Sequence, residues 1–437
     1  MASSSIEQPA AAPSSDVANG PGRGAVLLLA AAVGLCVANN YYAQPLLATI
    51  AADLRLSATT AALVVTAAQI GYGLGLVFLL PLGDLLERRR LVCGLTAATA
   101  LSLALTAVAP NGGLLLLGTA LTGLLSVAAQ VLVPFAADLA APHQRGKIVG
   151  TVMSGLVLGM LLARTASGAL AELGGWRTAY WAAALAMLAL AVALHRRLPR
   201  YRGSAAMGYF ALLGSTARLF AEEPVLRTRS AIGFFAFACF GALWSSLAFL
   251  LSDPGHGWSD AQIGLLGLVG AAGAVAAHLA GRLADLGWAG RTTLIGGALL
   301  LASWGPLLWG AHDLALLLAG IVLLDLAHQG VHITNQSLIY AVRPEARGRI
   351  TSAYMTCYFA GGALGSTLVG LIYPQHGWRG VCLLGAALAL ALCLVGAGGA
   401  GAGGRGPRPR PLPAVGAAVL LGWGWLMVVA VVLRLLL

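Results

Sequence analysis

One segment of this chain occurs twice, and that repetition limits its architecture more than any other feature. Arg145 to Arg177, RGKIVGTVMSGLVLGMLLARTASGALAELGGWR, returns 202 positions later as Arg347 to Arg379, RGRITSAYMTCYFAGGALGSTLVGLIYPQHGWR. Without a gap, 11 of 33 positions are identical: Arg145/Arg347, Gly146/Gly348, Ile148/Ile350, Met153/Met355, Gly159/Gly361, Leu162/Leu364, Thr165/Thr367, Gly168/Gly370, Gly175/Gly377, Trp176/Trp378 and Arg177/Arg379. Each copy is a basic turn, about 24 apolar residues and a Gly-Trp-Arg corner. An apolar run of that length matches the thickness of a bilayer. In hydrocarbon it must bond every backbone group within itself, which an α-helix does. The chain is therefore a duplication, and each half is a set of membrane helices.

Composition supports the same class. Charged residues make up 9% of the chain and hydrophobic ones 59%, whereas a soluble domain carries roughly 25% charge. The six cysteines, Cys36, Cys93, Cys239, Cys357, Cys382 and Cys393, fall inside apolar runs with neither pairing nor metal spacing and read as core fillers. Twelve spans are predicted, six per half, at about 25–50, 59–82, 91–109, 113–138, 148–172, 177–195, 230–252, 261–281, 292–310, 314–340, 350–373 and 379–397. The net charge of +11 sits in the short loops between them, as orientation charge does, and is not a nucleic-acid signature. With the N-terminus cytoplasmic, 21 of the Arg and Lys residues fall on the inside and only Arg55, Arg177 and Arg379 outside. That asymmetry predicts a multi-pass protein of the inner (plasma) membrane with a cytoplasmic N-terminus.

The predicted organisation is a disordered N-terminus (1–22), an N-terminal six-helix bundle (23–195) and a basic cytoplasmic linker (196–229). A C-terminal six-helix bundle (230–397), a Gly/Pro/Arg tail (398–413) and an extra hydrophobic segment (414–437) follow. The first apolar run is too long for a cleaved signal peptide. Within the linker, Phe210, Leu213 and Phe220 recur at helical spacing, which predicts a short helix on the membrane surface. Segment 414–437 carries one charge, Arg434, and is long enough for a thirteenth span; lying in the interface is the alternative. An even number of helices per half makes the repeats parallel, with a site expected between them near mid-membrane.

The turn after span 2, GDLLERRR, and its counterpart after span 8, GRLADLGWAGR, lie 198 positions apart. They resemble the G-x-L-x-D-R-x-G-R-R signature of the major facilitator superfamily through Gly83, Leu85, Glu87 and Arg88, and through Gly281, Leu283 and Asp285. The resemblance covers about residues 25–397. It implies two six-helix bundles rocking about a central site, with Gly83, Asp84, Glu87, Arg88, Gly281 and Asp285 forming a breakable clasp on the cytoplasmic side. Here Glu87 replaces the signature Asp, and Arg90 stands where the signature has Gly; plain topology-setting charge is the other account of this turn. Span 5 partly resembles the antiporter signature G-x-x-x-G-P-x-x-G-G. Gly155 and Gly159 match, Met160 replaces Pro, and Ala163-Arg164 replaces Gly-Gly. Span 4 lacks the buried Arg of a further family signature, Thr119 lying near that position.

Ionisable residues at membrane depth are costly, so they are functional candidates. Two charged residues lie well inside spans, Arg164 in span 5 and Asp325 in span 10. Asp325, His328, Gln329, His332 and Gln336 are spaced 3, 1, 3 and 4, which puts them within about 100° on one helix face. Asn335 borders that stripe, and Gly123, Ser126 and Gln130 are its counterparts in span 4. The resemblance implies that spans 4 and 10 line the cavity. Three accounts stand for the stripe: proton coupling by Asp325, His328 and His332, a shared metal ion, or a satisfied hydrogen-bond network. One helix rarely completes a metal site, and no metal ligand is assigned. Candidate substrate ligands are Asn39, Asn40, Tyr42, Gln44, Gln69, Gln130, Arg164, Trp244, Gln329, Gln336, Tyr354 and Tyr358. Consecutive residues of span 1 cannot all face one cavity. Arg164 could anchor an anionic or polar substrate, pair with Asp325 in one conformational state, or serve packing alone.

No G-x-x-x-x-G-K-[ST] motif is present, so ATP is not the expected energy source. The expectation is a non-enzymatic secondary transporter, active as a monomer. It needs a small-molecule substrate, a lipid bilayer and a proton gradient, but no cofactor and no nucleic acid. The resemblance favours proton-coupled efflux; a proton-coupled importer, a passive facilitator, a membrane sensor and a metal exporter are the alternatives.

Overall fold

The computed structural model describes residues 22–141, 144–201, 207–270, 289–343 and 346–402. Segments 1–21 and 403–437, including the tail from 403 onward and the candidate thirteenth span, lie outside the described residues, as do Gly281, Leu283 and Asp285. The described chain is helical throughout. Its elements are α1 (Arg23–Ala38), α2 (Ala43–Asp53), α3 (Ala58–Phe78), α4 (Leu82–Leu85), α5 (Arg88–Ala107), α6 (Gly112–Leu125), α7 (Ala128–Leu139), α8 (Arg145–Gly174) and α9 (Trp176–Arg197). There follow α10 (Tyr209–Glu222), α11 (Pro224–Leu251), α12 (Asp260–Leu265) with a 3-10 turn (Leu266–Gly270), α13 (Ala289–Trp309), α14 (Leu314–Val342) and α15 (Arg347–Ala402). Polar side chains cap several of these helices at their ends: Ser57 accepts from Thr60 N, Asn111 from Leu114 N, and Asp313 from Ala315 and Leu316 N.

Nine helices of the described residues are long and apolar enough to cross a bilayer, and the bent pair α1–α2 makes ten. The apolar stretch Arg347–Gly398 of α15, at 52 residues, would be more than twice as long as a ~30 Å hydrocarbon core is thick. It is two spans joined at Gly377, whose φ of 57° breaks the helix. The first copy breaks at the equivalent Gly175, φ 81°, a backbone conformation that glycine reaches at little cost. Tryptophans brace both corners: Trp176 Nε1 donates to Asp53 Oδ2 at 2.9 Å, and Trp378 Nε1 to Leu307 O at 2.7 Å. Arg177 adds an ion pair with Asp53.

Span 1, expected as one helix over 25–50, is broken. α1 and α2 meet at 40° across Asn39–Tyr42. The cause is Pro45, which has no N–H for the Tyr41 carbonyl; Gln44 N bonds that carbonyl instead, at 3.3 Å. Span 4 loosens similarly between α6 and α7, at Ser126–Val127, and span 8 tightens into 3-10 geometry at Leu266–Gly270. The surface helix is present as α10. It turns Leu212 and Leu219 into the protein and Phe210 outward, 84% exposed. Tyr209 OH donates to Phe78 O of α3 at 2.9 Å. At the other end of α10, Arg343 pairs with Glu223 at 2.7 Å and with Glu222 at 3.6 Å.

The matched glycines show how the copies pack. A Cβ on Gly159 would strike the backbone of Gly34, and one on Gly361 the backbone of Phe234; these contacts lie within a half. A Cβ on Gly168 would strike the backbone of Asp260, while one on Gly370 would lie 2.9 Å from Ala62 Cβ and 3.1 Å from Thr59 O; these contacts join the halves. Small residues let membrane helices approach to backbone contact. The matched threonines lie on the same seams, Thr165 Oγ1 donating to Gly264 O at 3.0 Å and Thr367 Oγ1 lying 3.1 Å from Thr66 Oγ1. The halves thus meet along two equivalent seams, α8 against α12 and α3 against α15.

Candidate functional site

The two charges picked out within the spans, Arg164 and Asp325, meet where the halves face each other. α8 carries Arg164, 2% exposed, and α14 carries Asp325, 3% exposed. They form no direct ion pair. Trp244 of α11 stands between them: the Arg164 guanidinium lies 4.0 Å from its ring centroid, and its Nε1 donates to Asp325 Oδ1 at 3.4 Å. Arg164 is further boxed by Tyr41 at 4.7 Å and Phe240 at 5.5 Å, and its Nε donates to Gln44 Oε1 at 2.6 Å. A cation over aromatic faces, away from water, is held by the ring quadrupoles. The break in span 1 puts Tyr41 and Gln44 there, the first in the break itself and the second in the first turn of α2.

Span 8 reaches the same place through glycines. Gly264 approaches the Arg164 backbone, a Cβ on Gly267 would lie 3.0 Å from Arg164 Cβ, and one on Gly270 would lie 2.9 Å from Asp325 Oδ2. Residues three apart eclipse in 3-10 geometry. These glycines form one smooth face that runs from the arginine to the carboxylate.

The helix 14 stripe continues away from Asp325. His328 Nε2 lies 2.7 Å from Tyr358 OH, and His332 Nδ1 lies 3.0 Å from Tyr354 OH. Asn335 Nδ2 donates to Tyr354 OH at 3.5 Å. Phe237 stacks on Tyr358 at 4.0 Å between ring centroids, and His328 stacks on Phe240 at 4.7 Å. Across the seam, Tyr72 meets Phe359 at 4.3 Å and accepts a hydrogen bond from Gln130 Nε2 at 3.2 Å. The result is a closed aromatic and polar core with several polar atoms left over. Asn40 Oδ1, Gln44 Nε2, Gln69 Oε1, Arg164 Nη2, His328 Nδ1 and Asn335 Oδ1 are buried without a hydrogen-bond partner. Buried polar atoms are nearly always paired, so each of these atoms is free to form a further hydrogen bond.

The fold therefore gathers Gln44, Arg164, Trp244, Asp325, His328, His332, Tyr354 and Tyr358 into one network. Gln69 lies on the α3–α15 seam, its Cδ 3.5 Å from where a Cβ on Gly362 would be. Asn39 is spent inside its own half, donating to Ser126 Oγ at 3.0 Å and Met187 Sδ at 3.7 Å. Tyr42 is buried at the start of α2. Gln329 and Gln336 are half-buried, and no hydrogen bond to either is formed among the described residues. Phe237, Phe240, Phe359 and the span 8 glycines belong to the core but are common residue types in apolar runs, so nothing in the sequence singled them out.

At the end that carries the arginine-rich turns, Arg88 is the centre of a charge cluster within the N-terminal half. Its Nη1 meets Asp138 Oδ2 at 2.6 Å, its Nη2 meets Asp84 Oδ1 at 3.4 Å, and its Nε donates to Gly83 O at 3.0 Å. Asp138, at the end of α7, completes a charge cluster that the turn sequence does not contain. Glu87 instead caps α5, accepting from Arg89 N at 3.1 Å, with Arg90 Nε 3.4 Å away.

The profile of the Major Facilitator Superfamily matches residues 29–253 and 230–399. The uncharacterized transporter YgaY of Escherichia coli O157:H7 is 52% identical over 364 residues, covering 83% of this chain and 92% of the relative. The probable transporter SCO4007 of Streptomyces coelicolor is 34% identical over 375 residues, covering 84% and 86%. Among solved structures, the nucleoside transporter NupG superposes with a TM-score of 0.65 over 86% of this chain and 98% of its own, at 16% identity, a likeness of fold alone.

Proposed function

This chain belongs to the major facilitator superfamily, and on that footing we propose that it exports a small molecule across the bacterial inner membrane in exchange for protons, by alternating access. The observation that carries this reading is the Arg164–Trp244–Asp325 bridge. It places one charge of each half at the seam that alternating access must open and close. Opening the seam separates Arg164 from Trp244 and changes the surroundings of Asp325, which is how an intramembrane carboxylate couples proton transfer to motion. His328 and His332 extend the titratable path along α14. Arg88, Asp84 and Asp138 hold the arginine-rich end of the N-terminal half, which the charge asymmetry assigns to the cytoplasm. The protein works as a monomer with a proton gradient and no cofactor. The test is gradient-driven flux in everted vesicles with an imposed pH difference. Wild-type protein accumulates substrate, and Asp325→Asn does not. Absence of accumulation in wild type sinks proton exchange, and a coupled Asp325→Asn variant removes that residue from the mechanism.

A further inference from the structure

Resting on that reading of the central site, we propose that the cargo is an organic monoanion: a carboxylate, or a similar singly charged oxyanion, on a planar apolar body. A buried charge is expected to be paired. Arg164 is 2% exposed, yet no carboxylate of the described residues lies within 4.0 Å of it. Its partners are a neutral amide, a long 3.4 Å contact to Met160 O, and three aromatic faces. Its Nη2 bonds nothing. The Gln44 amide is turned with its oxygen on Arg164, because a guanidinium can only donate, and this leaves Gln44 Nε2 buried and also without a partner. Two orphan donors on side chains that are already bonded to each other call for an acceptor shared between them. A carboxylate supplies that with its two oxygens, in the geometry guanidinium groups favour.

The rest of the cargo follows from the walls. Phe240 and Trp244, which flank the guanidinium, continue through Phe237 to Tyr358, with centroid separations of 5.5 Å and 4.0 Å. A planar apolar body stacks on such rings. Asp325 at the far edge of Trp244 limits the cargo to one negative charge, since a second would face a carboxylate. An organic cation would leave Arg164 Nη2 and Gln44 Nε2 unpaired and would add a like charge beside the guanidinium.

The experiment is ligand binding by purified full-length protein, measured by thermal shift and equilibrium dialysis. The probes are benzoate and hexanoate (monoanions), benzamide (neutral isostere), benzylamine (cation) and phthalate (dianion). We expect benzoate to bind, hexanoate, which carries the charge without the planar body, to bind at least about tenfold more weakly, benzamide and benzylamine not to stabilise, and phthalate to bind at least about tenfold more weakly than benzoate. Arg164→Gln weakens benzoate about thirtyfold or more. Gln44→Glu offers Arg164 an internal carboxylate at constant volume, so it blocks anion binding to a similar extent while keeping the fold; it decides the matter if Arg164→Gln does not fold. The proposal is overturned if benzoate does not bind, if hexanoate, benzamide or benzylamine binds as well as benzoate, or if both variants bind benzoate unchanged. Benzoate binding with no gradient-driven flux would leave the cargo class standing and reject proton exchange, so the two failures are distinct.

Discussion

Gly159 and Gly168 lie nine residues apart on α8 and are both kept in the repeat, but they face different neighbours, so the same substitution should have different consequences. A Cβ at Gly168 would meet the Asp260 carbonyl carbon at 2.9 Å and Ala261 Cα at 3.0 Å, with the Asp260 oxygen closer still. Carbon atoms pack best at about 3.5–4.0 Å, so the helices must part by about 0.5 Å or more. The obstructing atoms are backbone, and no rotamer change relieves them. Overpacking of this kind costs about 1–3 kcal/mol, which is about five- to 150-fold in a conformational equilibrium. The cost falls on the arrangement in which the Gly-Trp-Arg ends of the halves are together, where Thr49 also bonds both Asp260 oxygens at 2.7 and 2.8 Å. Gly168→Ala therefore shifts the population toward a state open at that end. Gly159→Ala is obstructed by Gly34 of its own half, so it lowers thermal stability without that shift. The assay is double electron–electron resonance between spin labels at the exposed positions Ala52 and Pro254, in a cysteine-free background. A longer-distance population should grow in Gly168→Ala only. Indistinguishable distance distributions for the two variants would refute the seam assignment.

Asp138→Ala removes the shortest contact of Arg88 and should lower unfolding stability in detergent by about 1.5–3 kcal/mol. Glu87→Asp keeps a carboxylate cap and should cost less than about 0.5 kcal/mol; thermal unfolding separates the two. Tyr358→Phe deprives His328 Nε2 of its partner at 2.7 Å, so it should destabilise by about 1–3 kcal/mol and slow gradient-driven flux, measured in proteoliposomes.

Much of this architecture can be read directly from residue order. The duplication, the twelve apolar runs and the two isolated charges are visible because hydrocarbon forbids unpaired backbone and penalises charge, so each stands out against a background of Ala, Leu and Gly. The same reasoning placed Asp325, His328 and His332 on one face, since a helix has a single period. Partners were another matter. Asp138 is 50 residues from Arg88, and Asp325 is 81 from Trp244; no local pattern pairs them.

The repeat itself marks the boundary between the two kinds of knowledge. Residue identity shows that Gly159 and Gly168 are both retained, for membrane helices at backbone distance need a small residue wherever they touch. Only the packed halves reveal that one glycine holds a bundle together while the other touches the opposite bundle. Likewise, Arg164 announces itself as a buried cation. That its counter-charge is withheld behind Trp244, leaving two donors unpaired, depends on the bend Pro45 puts in span 1 and on the glycine face of span 8. Local chemistry sets which residues are costly to bury; the meeting of distant helices sets which of those costs are offset and which are not.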